Sequence, residues 1–469
     1  MQEMGDAPKK SLGLLDATLL VAGSMIGSGI FIVSSIMMND IGSPAWMLVL
    51  WILTGLITIL AALSYGELAG MMPNAGGQYV YIQRAFGRLP SFLYGWTVFT
   101  VIQTGVIAAV AVAFAKYTAV FFPGLNDVII DLMFLKLTYA HVVAIASVLL
   151  LTYSNSQGLQ NGKIIQFIFT SAKLFALFAL IVLGIYLGIK SNVFELNMSD
   201  AWTAFKTTRT ESGAITKTPL LGWALVGALG ATIINSLFSA DAWNNVTFIA
   251  GEIRDPKRNI PRSLFFGTLI VTLIYVLANV AYLMLLPNQD IMNAPSNRVG
   301  AAAAHVIFGE PGVLIMAGLI MVSTFGCNNG LILAGSRLYH AMAKDGLFFK
   351  KANKLNTHGI PSAALWIQCL WASVLCLSGK YEDLLTYSTF ASLLFYVLTI
   401  AGIFRLRKTE PDTPRPYRAF GYPILPMLYI AITSAICLIL LVYSPLNTLI
   451  GLFIVALGIP VYFLTAKRQ

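Results

Sequence analysis

What most constrains this chain is a near-continuous succession of helix-length apolar runs. A helix needs roughly 20 mostly apolar residues to span a bilayer, because about 30 Å of hydrocarbon is crossed at about 1.5 Å per residue. Twelve such runs can be placed, at 13–38, 44–71, 89–122, 137–154, 163–189, 219–250, 262–287, 312–343, 361–378, 381–405, 421–442 and 446–466. The connections between them are short except near 190–218, 288–311 and 344–360. At 57% hydrophobic and 11% charged residues, with a mean hydropathy of +0.77, the chain lies outside the range of soluble domains. The expected fold is an all-α polytopic membrane protein of twelve transmembrane helices. The polar segment 190–218 is expected to be mobile and to cover an outer vestibule, and 406–420 to be a cytoplasmic linker between spans ten and eleven.

A net charge of +10 could point to nucleic acid, but the cations sit in alternate loops rather than along one surface. With a cytoplasmic N-terminus, 21 of the 30 Lys and Arg residues fall on the inner side, among them Lys9, Lys10, Arg84, Arg88, Lys163, Arg254, Arg337, Arg407, Lys467 and Arg468. Seven fall outside (Lys136, Lys190, Lys206, Arg209, Lys217, Arg298 and Lys380), mostly in one long loop. This bias predicts a multi-pass plasma (inner) membrane protein with both termini cytoplasmic. No cleavable signal peptide is expected, since the first apolar run is too long and lacks a small-residue cleavage pattern.

Cys327, Cys369, Cys376 and Cys437 all fall within expected spans, where packing explains them better than a disulfide framework or metal site. His141, His305, His340 and His358 are scattered singly. Neither a phosphate-binding loop nor a nucleophile elbow is present, so no enzyme activity, metal or cofactor is expected. A channel would call for a repeated filter loop or ring of charges, and neither is evident.

Two spans are interrupted. Span one contains AGSMIGSGIF, with Gly23, Gly27 and Gly29 inside an otherwise uniform apolar helix, and each glycine weakens helix by about 1 kcal/mol relative to alanine. Small residues three or four apart also permit close helix packing, so the triplet reads either as a packing face or as an unwound segment whose N–H groups bind an anion. Span six contains NSLFSADAWNNVTF, where Ser239, Asp241, Asn244 and Asn245 interrupt the apolar stretch without a glycine between Ser239 and Trp243. A charge at mid-membrane costs several kcal/mol unless it lines a cavity or is paired. Interruptions at corresponding places in two halves point to an inverted-repeat transporter with its site at the midplane.

Five strings carry a resemblance: GSMIGSGIF in span one, YGELAGMMPNAGGQYVYIQRAFG after span two, WNNVTFIAGEIRDPKRNIPRSL after the span-six break, STFGCNNGLILAGSRLYHAMAKDG in span eight, and RLRKTEPDTPRPYRAFGYP after span ten. Together the chain resembles the amino acid, polyamine and organocation superfamily, and within it the bacterial relatives of the L-type amino-acid transporters. The resemblance implies a five-plus-five inverted repeat with discontinuous helices 1 and 6, the repeats at 13–189 and 219–405 and two further helices within 421–469. It implies sodium-independent secondary transport of amino acids by alternating access, with exchange of neutral L-amino acids as the leading expectation. A carrier of cationic amino acids or polyamines on the same fold is the alternative.

The resemblance also implies site residues. Substrate carboxylate would meet the amides and hydroxyl at Ser28 and Gly29, and substrate ammonium the carbonyls of Met25, Phe238 and Asp241, a polarity that the dipoles of two broken helices favour. Lys173 lies about ten residues into span five, too deep to snorkel easily. In similar transporters such a lysine takes the place of a coupling ion, bridging span-one carbonyls to span-eight hydroxyls, here Ser323 and Thr324. Whether it acts as a fixed charge or a proton carrier stays open. Asp241 reads either as a holder of the unwound segment or as a receptor for a cationic group, and Trp243 as an aromatic gate or as packing. Gln103 and Ser392 are further pocket candidates. Glu67 in span two is expected near the inner gate, with Arg84, Arg88, Arg254 and Arg337 on the same side as gate partners or simple topology charges. Light chains of the family join a glycoprotein through a cysteine after span three; the stretch 123–136 has none, so no disulfide-linked heavy chain is expected.

Overall fold

The computed structural model describes residues 12–73, 76–132, 135–209, 215–378 and 381–466. The tail through residue 11 and residues 467–469, with Lys9, Lys10, Lys467 and Arg468, lie outside the described residues, as do Lys380 and the side chains of Lys163 and Arg209.

Span one is two helices, α1 (Leu14–Met25) and α2 (Gly29–Ile41), and α3 (Pro44–Met71) is span two. A short α4 (Gln78–Phe86) leads to α5 (Arg88–Thr97), which runs through a π-helical turn at Val98–Ile102 into α6 (Gln103–Phe121). Then come α7 (Tyr139–Ser156), α8 (Leu159–Gly188), the single-turn α9 (Val193–Met198), α10 (Gly222–Ser239) and α11 (Pro256–Leu285). The remainder is α12 (Asn288–Met292), α13 (Val299–Phe308), α14 (Glu310–Lys344), α15 (Ser362–Ser378), α16 (Tyr381–Thr409), α17 (Ile424–Tyr443) and α18 (Pro445–Ala466). Ten helical segments among the described residues are long and apolar enough to cross a membrane, so the chain is a multi-pass membrane protein.

The local causes are visible at span two. Pro44 occupies the first turn, where no intrahelical partner for its missing N–H is needed, and the Ser43 hydroxyl accepts from the Trp46 N–H at 3.2 Å. The preceding α2 stops because Gly42 adopts a left-handed φ of 61° and its N–H closes on the Met38 carbonyl.

Four expectations need correction. The helix of span six ends at Ser239 rather than near 250, because polar residues there turn through two 3₁₀ segments, Trp243–Thr247 and Ala250–Glu252. Span ten continues to Thr409, into the expected linker. The fold is not purely helical: β1 (Val128–Leu132) pairs antiparallel with β2 (Leu135–Thr138), and β3 (Phe205–Arg209) with β4 (Ile215–Pro219). The described parts of the segment 190–218, expected to be mobile, are docked. Its Asn197 amide donates to the Leu283 and Leu286 carbonyls at 2.8 Å, and the Phe205 ring lies where a Cβ on Gly42 would be.

Within the bundle α3 packs along α11, α6 along α14, and α1 against both α11 and α8, so the interrupted helices are enclosed by uninterrupted ones. Apolar side chains such as Phe175, Phe178, Leu438 and Val442 point outward, as lipid-facing helices require.

Candidate functional site

Both interruptions are backbone breaks, and they meet. Ile26 is extended (φ −77°, ψ 93°) between α1 and α2. Beyond α10 the chain reverses at Ala242, whose φ of 64° is left-handed. Alanine tolerates that conformation at a cost of roughly 1–2 kcal/mol, a strain that surrounding contacts must hold in place. A Cβ on Gly29 would overlap the Ser239 side chain and lie 3.0 Å from its Cα, so the start of α2 sits directly on the end of α10. Ser28 is buried beside it. Gly27 faces Cys327, whose sulfur would stand 3.2 Å from an added Cβ. The glycines therefore serve packing and unwinding together.

The carbonyls facing the break already have a donor. The Tyr275 hydroxyl of α11 lies 3.0 Å from the Met25 carbonyl and 2.9 Å from that of Ser239. One hydroxyl proton serves the electronegative C-terminal ends of both α1 and α10. The Phe238 carbonyl accepts the Asp241 N–H at 3.1 Å.

Lys173, fully buried on α8, donates to the Gly23 and Ile26 carbonyls at 2.6 Å each, and its Nζ lies 3.5 Å from the Ser323 carbonyl. The expected bridge to two span-eight hydroxyls is corrected here. The Ser323 hydroxyl lies at the edge of hydrogen-bond range of the Ile26 and Gly27 carbonyls (3.4 and 3.5 Å), while Thr324 turns back to Ile320 and Met321 of its own helix. Adjacent helical residues point about 100° apart, so only one of the two faces the break.

Asp241 faces α16. Its carboxylate accepts from the Tyr396 hydroxyl at 2.5 Å and from Ser392 at 3.4 Å. The Asn244 side-chain amide donates to Gln78 Oε1 at 2.9 Å, and Gln78 Nε2 donates to the Thr399 hydroxyl at 3.0 Å. The unwound segment is thus tied to α4 and α16 by a continuous polar chain. Gln103, directly after the π-helical turn, donates to the Leu331 carbonyl at 2.7 Å. Such turns frequently mark functional positions in helices. Gln103, Asn245, Ser392 and Tyr396 line a cavity with Asp241, and Asn245 Nδ2 is buried without a hydrogen-bond partner among the described residues. That cavity and a second beside Trp243 hold about 20 Å³ each, room for about one water molecule. The cavities are closed, and anything larger than water enters only if the helices move.

Trp243 packs edge-on to Tyr65 at 4.7 Å and tilted against Tyr396 at 5.3 Å, between the Asp241 cavity and the end of the bundle that carries Glu67. The charge partners at that end differ from those expected. Glu67 is fully buried and binds Arg407 in two parallel bonds (2.9 and 2.6 Å), Arg415 at 3.2 Å and the Ala419 N–H at 2.7 Å. Arg337 instead pairs with buried Glu252 at 2.9 Å, Arg84 with Glu410 at 2.6 Å, and Arg88 donates to the Asp345 carbonyl. The reason is chain path: the last turn of α16, which carries Arg407, lies beside α3, and the residues after it fold back and add Arg415.

Tyr275 and Tyr396 were not among the sequence candidates. A signal existed for each: tyrosines prefer the membrane interface, so one within an apolar run is unusual, and Tyr396 follows Ser392 by one helical turn and shares its face.

The sequence pattern of the family described as "Amino acid permease" matches residues 12–464. The chain is 31% identical to large neutral amino acids transporter small subunit 2 of Homo sapiens, over 99% of this chain and 82% of that protein. It is 29% identical to Asc-type amino acid transporter 1 of Homo sapiens (98% and 82% covered) and 28% identical to b(0,+)-type amino acid transporter 1 of Mus musculus (93% and 84% covered).

Proposed function

The chain belongs to the amino acid permease family, and we propose that it is a sodium-independent exchanger of neutral L-amino acids. It is a transporter and not an enzyme. The observation that carries the sodium-independent reading is Lys173: its ammonium, held 2.6 Å from two carbonyls of the broken helix, supplies covalently the positive charge that a coupling ion would bring. The names of the large neutral and Asc-type relatives support amino acids as substrates.

The substrate carboxylate meets the N-terminal end of α2 at Ser28 and Gly29, and its ammonium the carbonyls of Met25, Phe238 and Asp241, displacing the Tyr275 hydroxyl. The close Asp241–Tyr396 bond favours neutral side chains, because a carboxylate already satisfied by two hydroxyls gains less from a cationic guest. Transport proceeds by alternating access: α1, α2, α3, α10 and α11 rock against α5, α6, α7, α14 and α15. Trp243 closes the site toward the end that carries Glu67. The repeats are 13–189 and 219–405, and the termini face the cytoplasm, as the cation bias supports.

The human relative is named a small subunit. A covalent partner is disfavoured for this chain because all four cysteines are buried. Purified protein in liposomes loaded with one neutral amino acid takes up another equally in sodium and in choline buffer. A strict sodium requirement overturns the reading of Lys173, and conductance without saturation or counter-substrate overturns exchange.

A further inference from the structure

The largest cavity among those described lies away from the transport site, where α3, the start of α11 and the residues after α16 meet, and encloses about 1080 Å³. Its wall is apolar: Leu63, Phe265, Phe266 and Phe420 line it, and the last two are exposed. Leu63 stands eight residues before the end of α3, and Phe265 and Phe266 fall in the third turn of α11. By helix rise the wall reaches about 12 Å below the helix ends, into hydrocarbon depth. The rim is cationic. Lys257, Arg258 and Arg262 on the first two turns of α11 and Arg418 after α16 are all exposed, with Asp255 the one acid among the described lining residues. Among the described residues none of these four cations has a carboxylate partner, in contrast to Arg84, Arg337, Arg407 and Arg415.

We propose that this groove binds one anionic phospholipid, its phosphate among Arg262, Arg418, Lys257 and Arg258 and an acyl chain along Leu63, Phe266 and Phe420. The shape selects an amphiphile: a soluble anion has no use for a wall at hydrocarbon depth, and a zwitterionic lipid gains little from four unpaired cations. The electropositive start of α11 adds to the same field. The groove borders the Glu67 cluster, since Tyr417 lines it and packs on Gly66, so a lipid there also pins the segment after α16 onto α3. The inference rests on the chain spanning a membrane and on no part of the transport reading.

The test is native mass spectrometry of the full-length protein in detergent, titrated with phosphatidylglycerol, phosphatidylcholine or inorganic phosphate. Wild-type protein retains one phosphatidylglycerol in preference to phosphatidylcholine, and inorganic phosphate at equal concentration does not displace it. Arg262→Gln with Arg418→Gln lowers that affinity about thirtyfold, from roughly the surface contribution of two basic residues. Phe266→Ala with Phe420→Ala lowers it with the charges intact. Lys350→Gln with Lys351→Gln, equal in charge but outside the groove, leaves it unchanged. Equal retention of both lipids, displacement by inorganic phosphate, or an equal loss in the Lys350/Lys351 variant overturns the proposal.

Discussion

Replacing Lys173 by alanine removes the ammonium that joins α8 to the span-one break. In the structure that group is fully buried and makes two bonds of 2.6 Å, to the Gly23 and Ile26 carbonyls. Each hydrogen bond to a charged group contributes roughly 1.5–3 kcal/mol net, so the two together stabilise by about 3–6 kcal/mol. Against this stands the desolvation of a buried ammonium, several kcal/mol by itself. Alanine relieves the desolvation but leaves the Gly23 carbonyl without its side-chain donor and the Ile26 carbonyl with only the distant Ser323 hydroxyl, at up to about 1–3 kcal/mol each, and opens a cavity. The net expectation is a destabilisation of about 2–5 kcal/mol, concentrated at the break rather than spread over the bundle. If only about 1.4 kcal/mol of it appears in the barrier to reorientation, exchange slows tenfold. The assay is counterflow of labelled neutral amino acid in liposomes, with thermal unfolding of the same preparation. Because the vacated space is lined by carbonyl oxygens and the Ser323 hydroxyl, sodium should restore part of the lost stability and rate while choline does not. An alanine variant with wild-type melting and wild-type exchange would refute the argument.

Tyr275→Phe deletes the hydroxyl shared by the Met25 and Ser239 carbonyls; because substrate ammonium competes for those oxygens, losing about 1 kcal/mol of closed-state stabilisation should tighten apparent substrate affinity up to fivefold, and weaker binding in a flux titration counts against it. Glu67→Gln strands two guanidiniums; breaking a buried pair costs about 3–5 kcal/mol, reduced here to about 1–3 because the Arg407 side chain is 23% exposed, and protease sensitivity near 406–420 should rise; unchanged protection counts against it. The Arg84 bond holds the Glu410 carboxyl below the ordinary carboxylate range, so its contribution is present above the unfolded value and disappears as pH falls through the lower folded one; melting temperatures of wild type and Arg84→Gln, separated by at most about 1 kcal/mol of stability at pH 7, should converge in acid.

Much of this protein is legible one segment at a time. Span two reads as 44–71 and forms as Pro44–Met71, since apolar length and a Ser-Pro start are local properties. The break at Ile26–Ser28 follows from glycine frequency within one helix, and the depth of Lys173 from counting residues along another. The expected inward bias of cations is likewise a sum along the chain, so that expectation needs no structure.

Tertiary structure decided which polar groups meet. Tyr275 reaches the Met25 carbonyl across 250 positions of sequence, and Asp241 finds Tyr396 across 155, distances over which no periodicity carries information. Ser323 and Thr324 are equivalent as letters; the rotation of α14 turns one toward the break and the other back on its own helix. Glu67 had several arginines within its reach by topology, and it took Arg407 and Arg415 because the last turn of α16 lies beside α3 and the chain after it folds back over α3. The sequence alone determined which segments are long and apolar enough to cross a membrane and where span one breaks, because apolar length and glycine content are properties of each segment separately. Pairing depends on direction as well as distance, and direction exists only once the helices have packed.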